Sequence, residues 1–225
     1  MKIGIVSTQN NGKTTLVNKI KAKWPLYVSP EKTYRDIVSE KNLPINRDSD
    51  MESQGSIREA LFVQAHVCAD SPFSVQDRTS LDNLVYTLYL VDKGKIDDEV
   101  FITETIEMNR EAMRKYDIIF WMPLNKSIKM NQEDNHHRDL DEQFRIEIDN
   151  IFQGVFEIYK QNQGLLFDPK DQPAMIVLEG DLEDKLETVG NYIAEDGNLV
   201  AESSVLATME DEFDQMQLMK EVANG

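Results

Sequence analysis

The chain has 225 residues and a formal net charge of −17, from 24 Lys and Arg against 41 Asp and Glu. Its single cysteine, Cys68, excludes an internal disulfide and a multi-cysteine zinc site and agrees with a reducing, cytoplasmic location. The apolar runs are too short to cross a membrane, and the N-terminal residues have no signal-peptide pattern. The negative net charge opposes non-specific binding to nucleic acid.

Short apolar segments alternate with amphipathic ones along the chain. We predict strands at residues 2–6, 26–28, 73–76, 117–122 and 174–178. Helices are predicted at residues 14–23, 31–40, 52–69, 81–91, 99–115, 140–159 and 181–193, with a polar loop at 125–139. This alternation predicts an α/β fold in which helices cover both faces of a parallel sheet.

The most informative motif, STQNNGKTT at residues 7–15, lies between the first strand and the first helix. It ends in the Gly-Lys-Thr of the phosphate loop GxxxxGK[ST], with Ser7 at the position of the usual first glycine. Backbone N–H groups at such a helix start bind phosphate oxygens, so the motif predicts a bound nucleotide. The predicted nucleotide-binding residues are Asn10, Asn11, Gly12, Lys13, Thr14 and Thr15. Lys13 would reach the β- and γ-phosphates, and the Thr14 hydroxyl would ligate Mg²⁺.

Five stretches, taken in order, resemble P-loop kinases of the nicotinamide riboside kinase-like group and the related AAA-type ATP-binding proteins of phages. They are GIVSTQNNGKTTLVNKI, SPEKTYRDIVSE, FSVQDRTSLDNLVYTLYL, EDNHHRDLDEQFRIEIDNIF and MIVLEGDLEDKLETVGNYI. The resemblance implies a P-loop kinase domain at residues 1–195 that uses ATP and Mg²⁺, in a host cytoplasm if a phage encodes it. Three features depart from the group's pattern: Ser7, the spacing from Glu31 to Arg35, and the acidic C-terminal region. They leave the identity of the acceptor substrate open.

The third predicted strand ends at Asp77-Arg78-Thr79, on the side of an open α/β sheet where ligands bind. Asp77 can ligate Mg²⁺ through water or accept the proton of an attacking hydroxyl, and the resemblance favours such a role. The alternative for Asp77 is a cap on the next helix. Arg78 can bind a phosphate of the substrate or form a surface ion pair.

Two further candidates follow the second predicted strand. Glu31 can face the acceptor and act as a general base, as Asp77 can, or it can be a solvated residue of a first helical turn. Arg35 lies one turn further along the same helix face and can bind the acceptor substrate.

Arg138 and Arg145 are seven residues apart and would share a face of one continuous helix. By resemblance they would belong to a lid that closes over ATP and stabilises the transferring phosphoryl group. The alternative is an exposed helix in which these arginines pair with neighbouring carboxylates.

Residues 196–225 are predicted to form an acidic C-terminal extension. Its apolar residues at helical spacing are Val205, Leu206, Met209, Phe213, Met216 and Met219. Such a helix would pack on the kinase domain or join subunits into a homo-oligomer. An acidic interaction segment that binds another partner is the alternative.

The function expected from these motifs is transfer of the ATP γ-phosphate to a hydroxyl of a nucleoside- or nucleotide-like small molecule. One alternative is a phage-type kinase acting on a hydroxymethylated pyrimidine, such as 5-hydroxymethyluracil, in DNA. Only residues 1–50, with nine basic and five acidic residues, could supply a basic channel for DNA. A different class is an ATP-dependent regulatory protein that controls a partner.

Overall fold

In the computed structural model, the described part of the chain comprises residues 1–124, 141–161, 166–167, 173–194 and 197–200. Within it, four parallel strands form one sheet in the order β2-β1-β3-β4. The strands are β1 Lys2–Val6, β2 Ser74–Asp77, β3 Ile118–Trp121 and β4 Ala174–Val177. The predicted parallel α/β fold is confirmed.

Seven α-helices of the described residues connect and cover these strands. They are α1 Lys13–Lys23, α2 Tyr34–Lys41, α3 Met51–Ala69, α4 Ser80–Asp92, α5 Glu99–Met113, α6 Glu142–Lys160 and α7 Leu182–Gly190. A short 3-10 helix, Asn46–Asp48, lies between α2 and α3. None of the helices in these ranges is long and apolar enough to cross a membrane.

The core lies on both faces of the sheet, because successive side chains of a strand point to opposite sides. In β3, Ile119 and Trp121 belong to a buried cluster that α4, α5 and α6 complete. Ile118 and Phe120 belong to a second cluster, completed by α1 and α7. All four β3 side chains are buried, as expected for an inner strand of a parallel sheet.

The register of β1 with its neighbours brings the ends of three strands together. Ile5 pairs with Asp77 at the end of β2, and Val6 pairs with Trp121 at the end of β3. Because β1 has a neighbour on each side, the chain leaves it next to a switch point of the sheet, where open α/β proteins bind ligands.

The predicted second strand and the start of the next helix differ from the structure. Of residues 26–28, only Val28 forms an isolated parallel bridge, with Ser74, and the side chains of Leu26 and Val28 are exposed. The helix predicted from residue 31 begins at Tyr34, where the Thr33 N–H donates to the Asp36 carboxylate at 2.6 Å. Only Tyr27 of residues 26–28 is buried, and this run forms no strand of the sheet beyond the Val28 bridge.

Candidate nucleotide-binding cleft

The loop between β1 and α1 has the backbone geometry that a phosphate loop requires. Gly12 lies at the N-cap of α1 with φ +82°, and Asn10 has φ +54°. Glycine adopts this left-handed conformation most readily, and asparagine adopts it more readily than most other residues. The Asn11 side chain donates to the Met122 carbonyl at 2.8 Å, which ties the loop to the end of β3. The backbone N–H groups at the start of α1 are thus presented at one fixed place on the sheet edge.

Lys13 is buried and bonds to the loop itself. Its Nζ donates to the Ser7 carbonyl at 2.7 Å, the Ser7 hydroxyl at 3.0 Å and the Thr8 carbonyl at 2.7 Å. Burial, followed by the nearby Arg78 guanidinium, lowers the pKa of Lys13 to about 7, although the Asp82 and Asp77 carboxylates oppose this. Ser7, which replaces the usual glycine, therefore supplies an acceptor for the lysine.

Asp77 lies at the end of β2, opposite the first turn of α1. The Thr14 hydroxyl donates to one oxygen of its carboxylate, and Arg35 Nη2 lies 3.6 Å from the same oxygen. The other oxygen, Oδ1, is buried and has no hydrogen-bond partner within the described part of the chain. Thr79 caps α4 by accepting from the Leu81 N–H at 3.1 Å, so Asp77 is left to the cleft.

Arg78 is a buried residue with a left-handed backbone, at φ +81°. Its guanidinium carbon lies 5.1 Å from the Tyr34 ring centre and 5.0 Å from that of Tyr86. Arg78 Nη1 lies 3.7 Å from Asp82 Oδ1, and Arg78 Nη2 donates to the Tyr86 hydroxyl at 3.3 Å. A non-glycine residue in this conformation costs about 1–2 kcal/mol, and such residues concentrate at functional sites. The surface ion pair considered for Arg78 is not what the structure shows.

Arg145, in the first turn of α6, contacts the backbone of the phosphate loop. Its Nε donates to the Gln9 carbonyl at 3.2 Å and its Nη2 to the Asn10 carbonyl at 3.4 Å. Burial lowers its pKa, although the carboxylates of α6 oppose this. Arg138, the other arginine of the predicted lid, lies outside the described residues.

The cleft has a volume of about 590 Å³. Residues 9–15 of the phosphate loop form one wall, and the opposite wall consists of Tyr34, Arg35, Val38, Ser39, Ile45, Asn46 and Arg78. Glu31 is exposed and lies elsewhere, in a separate groove beside α3, so the structure does not bring it to the cleft. Of the two candidate bases, only Asp77 approaches the phosphate loop.

A smaller cavity of about 40 Å³ adjoins the cleft and shares Tyr34, Ile45, Asn46 and Arg78 with it. Its remaining wall includes the side-chain amides of Gln54 from α3 and Asn83 from α4. Asn83 Nδ2 donates to Gln54 Oε1 at 2.9 Å, which fixes the orientation of both amides.

Sequence reasoning missed Gln54, Asn83 and the tyrosines of this wall. Gln54 and Asn83 are polar residues at buried positions of helices. A polar residue at a helix position that is expected to be buried is the sequence signal that points to such a site.

The oxygens at the start of α1 fit a Mg²⁺ ion. The Thr14 hydroxyl and the unpaired Asp77 Oδ1 are the hard oxygen ligands that this ion prefers. The described residues contain no group of three or more His, Cys, Asp and Glu that could hold a metal. A Mg²⁺ here would therefore take its other ligands from water and from the phosphates of a nucleotide.

No protein-family model and no curated protein sequence matches this chain. Among solved structures, it is similar to deoxyadenosine kinase from M. mycoides, with a TM-score of 0.60, 19% identity and coverage of 85% of this chain and 97% of that one. The NadR protein gives a TM-score of 0.56, with 12% identity over 84% of this chain and 50% of NadR. Thymidylate kinase from Candida albicans gives 0.53, with 14% identity over 85% and 89% of the two chains. At these identities the similarity concerns the fold, and the chain has the P-loop kinase fold of nucleoside and nucleotide kinases.

Proposed function

We propose that this chain is an ATP-dependent kinase that transfers the γ-phosphate to a hydroxyl of a nucleoside- or nucleotide-like small molecule. The observation that carries the proposal is that the phosphate loop shares one cleft with Arg35 of α2 and with Arg78, which follows β2, while the Asp77 carboxylate bonds to Thr14 beside it. Phosphoryl transfer needs a phosphate cradle, a group that orients the hydroxyl, and cations for the developing charge.

In the proposed reaction the acceptor oxygen attacks the γ-phosphorus as the bond to the β-phosphate oxygen breaks, and ADP leaves. Asp77 would orient the attacking hydroxyl and take its proton, either directly or through a water molecule. Mg²⁺, when bound by Thr14 and through a water molecule by Asp77, would neutralise phosphate charge. Lys13 would exchange a bond to the loop for one to a phosphate oxygen.

The arginines have different proposed roles. Arg35 is half-exposed at the mouth of the cleft, and it would bind the acceptor or its phosphate as a movable cation. Arg78 is held between two tyrosine rings, so it would act from a fixed position. Arg145 would keep the loop carbonyls in place. With Arg138 it would form the lid proposed from the sequence.

A nucleoside-like acceptor is favoured by the chemistry of the inner wall. The Tyr34 and Tyr86 rings offer flat apolar surfaces, and the Gln54 and Asn83 amides offer oxygens that can accept from a base edge, since their N–H groups donate within the protein. The inner cavity is small in this state, so Tyr34 or the segment 42–50 would have to move to admit a ring. The M. mycoides kinase was solved with dATP, and NadR with NAD and AMP-PNP, which supports a nucleotide donor here by analogy of fold.

The test is a transfer screen with γ-labelled ATP and Mg²⁺ over nucleosides, nucleotides, nicotinamide riboside and DNA containing hydroxymethyluracil. We expect label on a small nucleoside-like acceptor. Lys13→Ala should lower the transfer rate by about 100-fold or more, as loss of one group that stabilises transition-state charge does. The control is Lys23→Ala, because Lys23 is exposed at the far end of the same helix.

Three results would contradict the proposal. Near-normal transfer by a folded Lys13→Ala protein would remove the phosphate-loop assignment. ATP hydrolysis without any labelled acceptor would favour the regulatory class. Label found only on DNA would show that the acceptor is DNA and not a small molecule.

A further inference from the structure

A groove of about 850 Å³ runs along the outer face of α3 and shares no lining residue with the nucleotide cleft. Its floor is a stripe of α3 residues four apart: Met51, Gly55, Glu59, Val63 and Val67. Val63 and Val67, one helical turn apart, are 56% and 58% exposed. Residues 30–33, part of α2 and Phe101 of α5 form the sides. A long apolar surface is therefore left uncovered by the described residues.

The last described residues lie close to one end of this groove. The Tyr27 hydroxyl donates to the Gly197 carbonyl at 2.6 Å, and Pro30, three residues after Tyr27, lines the groove. Three residues of extended chain span about 10 Å. The exposed side chain of Val28 lies within this segment, and that of Leu26 lies just before it. An apolar path thus leads from residues 197–200 to the groove.

The 25 residues that follow Val200 match the groove in length and pattern. Their apolar positions repeat as on one face of a helix, from Val205 to Met219. As a helix, these 15 residues would be about 21 Å long, against about 24 Å for the stripe from Met51 to Val67. Residues 201–204 could add about 14 Å of extended chain between Val200 and this helix.

We propose that residues 201–225 pack against α3 of their own chain, with their apolar side chains in the groove. Charged residues of both signs line the groove, namely the cations Lys32, Lys41 and Arg58 and the carboxylates Glu31, Glu52 and Glu59. Apolar contact rather than charge would then hold the segment, and its packing should depend only weakly on salt. Its methionines suit an open groove, because this side chain adapts to irregular surfaces. The proposal is independent of the kinase assignment.

The test is limited proteolysis of the full chain. Mass spectrometry measures how fast the protease removes residues 201–225. Val63→Asp or Val67→Asp should speed this cleavage about tenfold, as loss of one buried valine contact would. Val100→Asp is the matched control, because Val100 is also an exposed valine on a helix, at 67%, but does not line the groove. All three side chains are exposed, so the fold, checked by circular dichroism, should persist.

A second experiment identifies the occupant. Cysteines placed in turn at Met209, Phe213 and Met216 should form a disulfide with Val63→Cys inside one monomer, but not with Val100→Cys. Burial raises the pKa of the native Cys68 to about 11, so it competes little. Equal cleavage of all variants would overturn the proposal. Disulfides that form only between two chains would also overturn it. The same holds for dimers that Val63→Asp dissociates without faster cleavage of residues 201–225. In both cases the groove would be occupied by a second copy of the chain.

Discussion

The two oxygens of Asp77 have different surroundings. One accepts from the Thr14 hydroxyl and lies beside Arg35, whereas the other is buried without a hydrogen-bond partner among the described residues. A buried acceptor left unsatisfied costs about 1–3 kcal/mol, and this one belongs to a carboxylate that contacts the start of α1 through Thr14. Asp77 is therefore the residue for which substitution should separate chemistry from binding.

We predict that Asp77→Asn lowers the rate of phosphoryl transfer by about 100-fold or more while ATP affinity changes much less, because a general base acts mainly in the transition state. Single-turnover rates and equilibrium nucleotide binding measure the two effects. Asp92→Asn, at an exposed carboxylate at the end of α4, is the control. A protein that loses thermal stability but keeps its transfer rate would make Asp77 a structural residue.

Asp82 is a second buried acid behind the cleft, and it should make stability depend on pH. Burial raises its pKa from 3.8 to about 6, although Arg78 and Lys13 oppose the shift. The folded state thus binds this proton more tightly than the unfolded state. The resulting stabilisation is complete below about pH 4 and is lost as the pH rises through 6.

We therefore expect the free energy of unfolding of the wild type, relative to Asp82→Asn, to fall by about 3 kcal/mol between pH 4 and pH 7. Urea denaturation of both proteins at several pH values measures this difference. Parallel curves for the two proteins would mean that Asp82 titrates alike in the folded and unfolded states.

At the scale of elements, local patterns predicted those parts of the fold that a few neighbouring residues determine. The strand, loop and helix around residues 2–23 carry their own signals, namely an apolar strand, a Gly-Lys-Thr helix start and an amphipathic stripe. The prediction of a strand at residues 26–28 was wrong apart from one bridge. Periodicity alone does not show whether other elements pack over an apolar run. Gln54 and Asn83 come from different helices, so only tertiary packing brings them together.

Gly4 illustrates how closely the central strand packs. A Cβ added there would lie 2.5 Å from Ile119 Cδ1 and 2.5 Å from Thr79 Cγ2. The Ile119 tip can turn aside, but Thr79 is buried and caps α4, so its displacement would weaken the start of that helix.

We predict that Gly4→Ala lowers the free energy of unfolding by about 2–4 kcal/mol, the sum of overpacking and a damaged helix cap. Chemical denaturation measures it. Gly154→Ala in α6 is the matched control: nothing lies within 4 Å of its added Cβ, and the same change should stabilise that helix by about 0.5–1 kcal/mol. Equal effects at both positions would show that the close approach at Gly4 relaxes without loss.

At the scale of the whole molecule, the sheet order explains why residues distant in sequence share one cleft. The chain leaves β1 with β2 on one side and β3 on the other, and the phosphate loop contacts the ends of both neighbours. The cleft is thus built almost entirely from residues before position 150. The sequence beyond it completes the sheet with β4 and covers one face with α7.

The last described residues are still part of this core. The Val200 N–H donates to the Tyr192 carbonyl at 3.0 Å, and the Ala194 N–H to the Asn198 carbonyl at 2.8 Å. A truncation that tests the C-terminal segment alone should therefore follow Val200 rather than residue 195.

We predict that removal of residues 201–225 leaves phosphoryl transfer to a small acceptor nearly unchanged, because every described cleft residue precedes them. The same removal should increase self-association, since the uncovered groove along α3 is a large apolar patch. Light scattering over a range of protein concentrations, beside the transfer assay, measures both effects. Val63→Asp in the truncated chain should restore the monomer, and Val100→Asp should not. Loss of transfer in a truncated protein that stays monomeric would mean instead that the C-terminal segment acts at the nucleotide cleft.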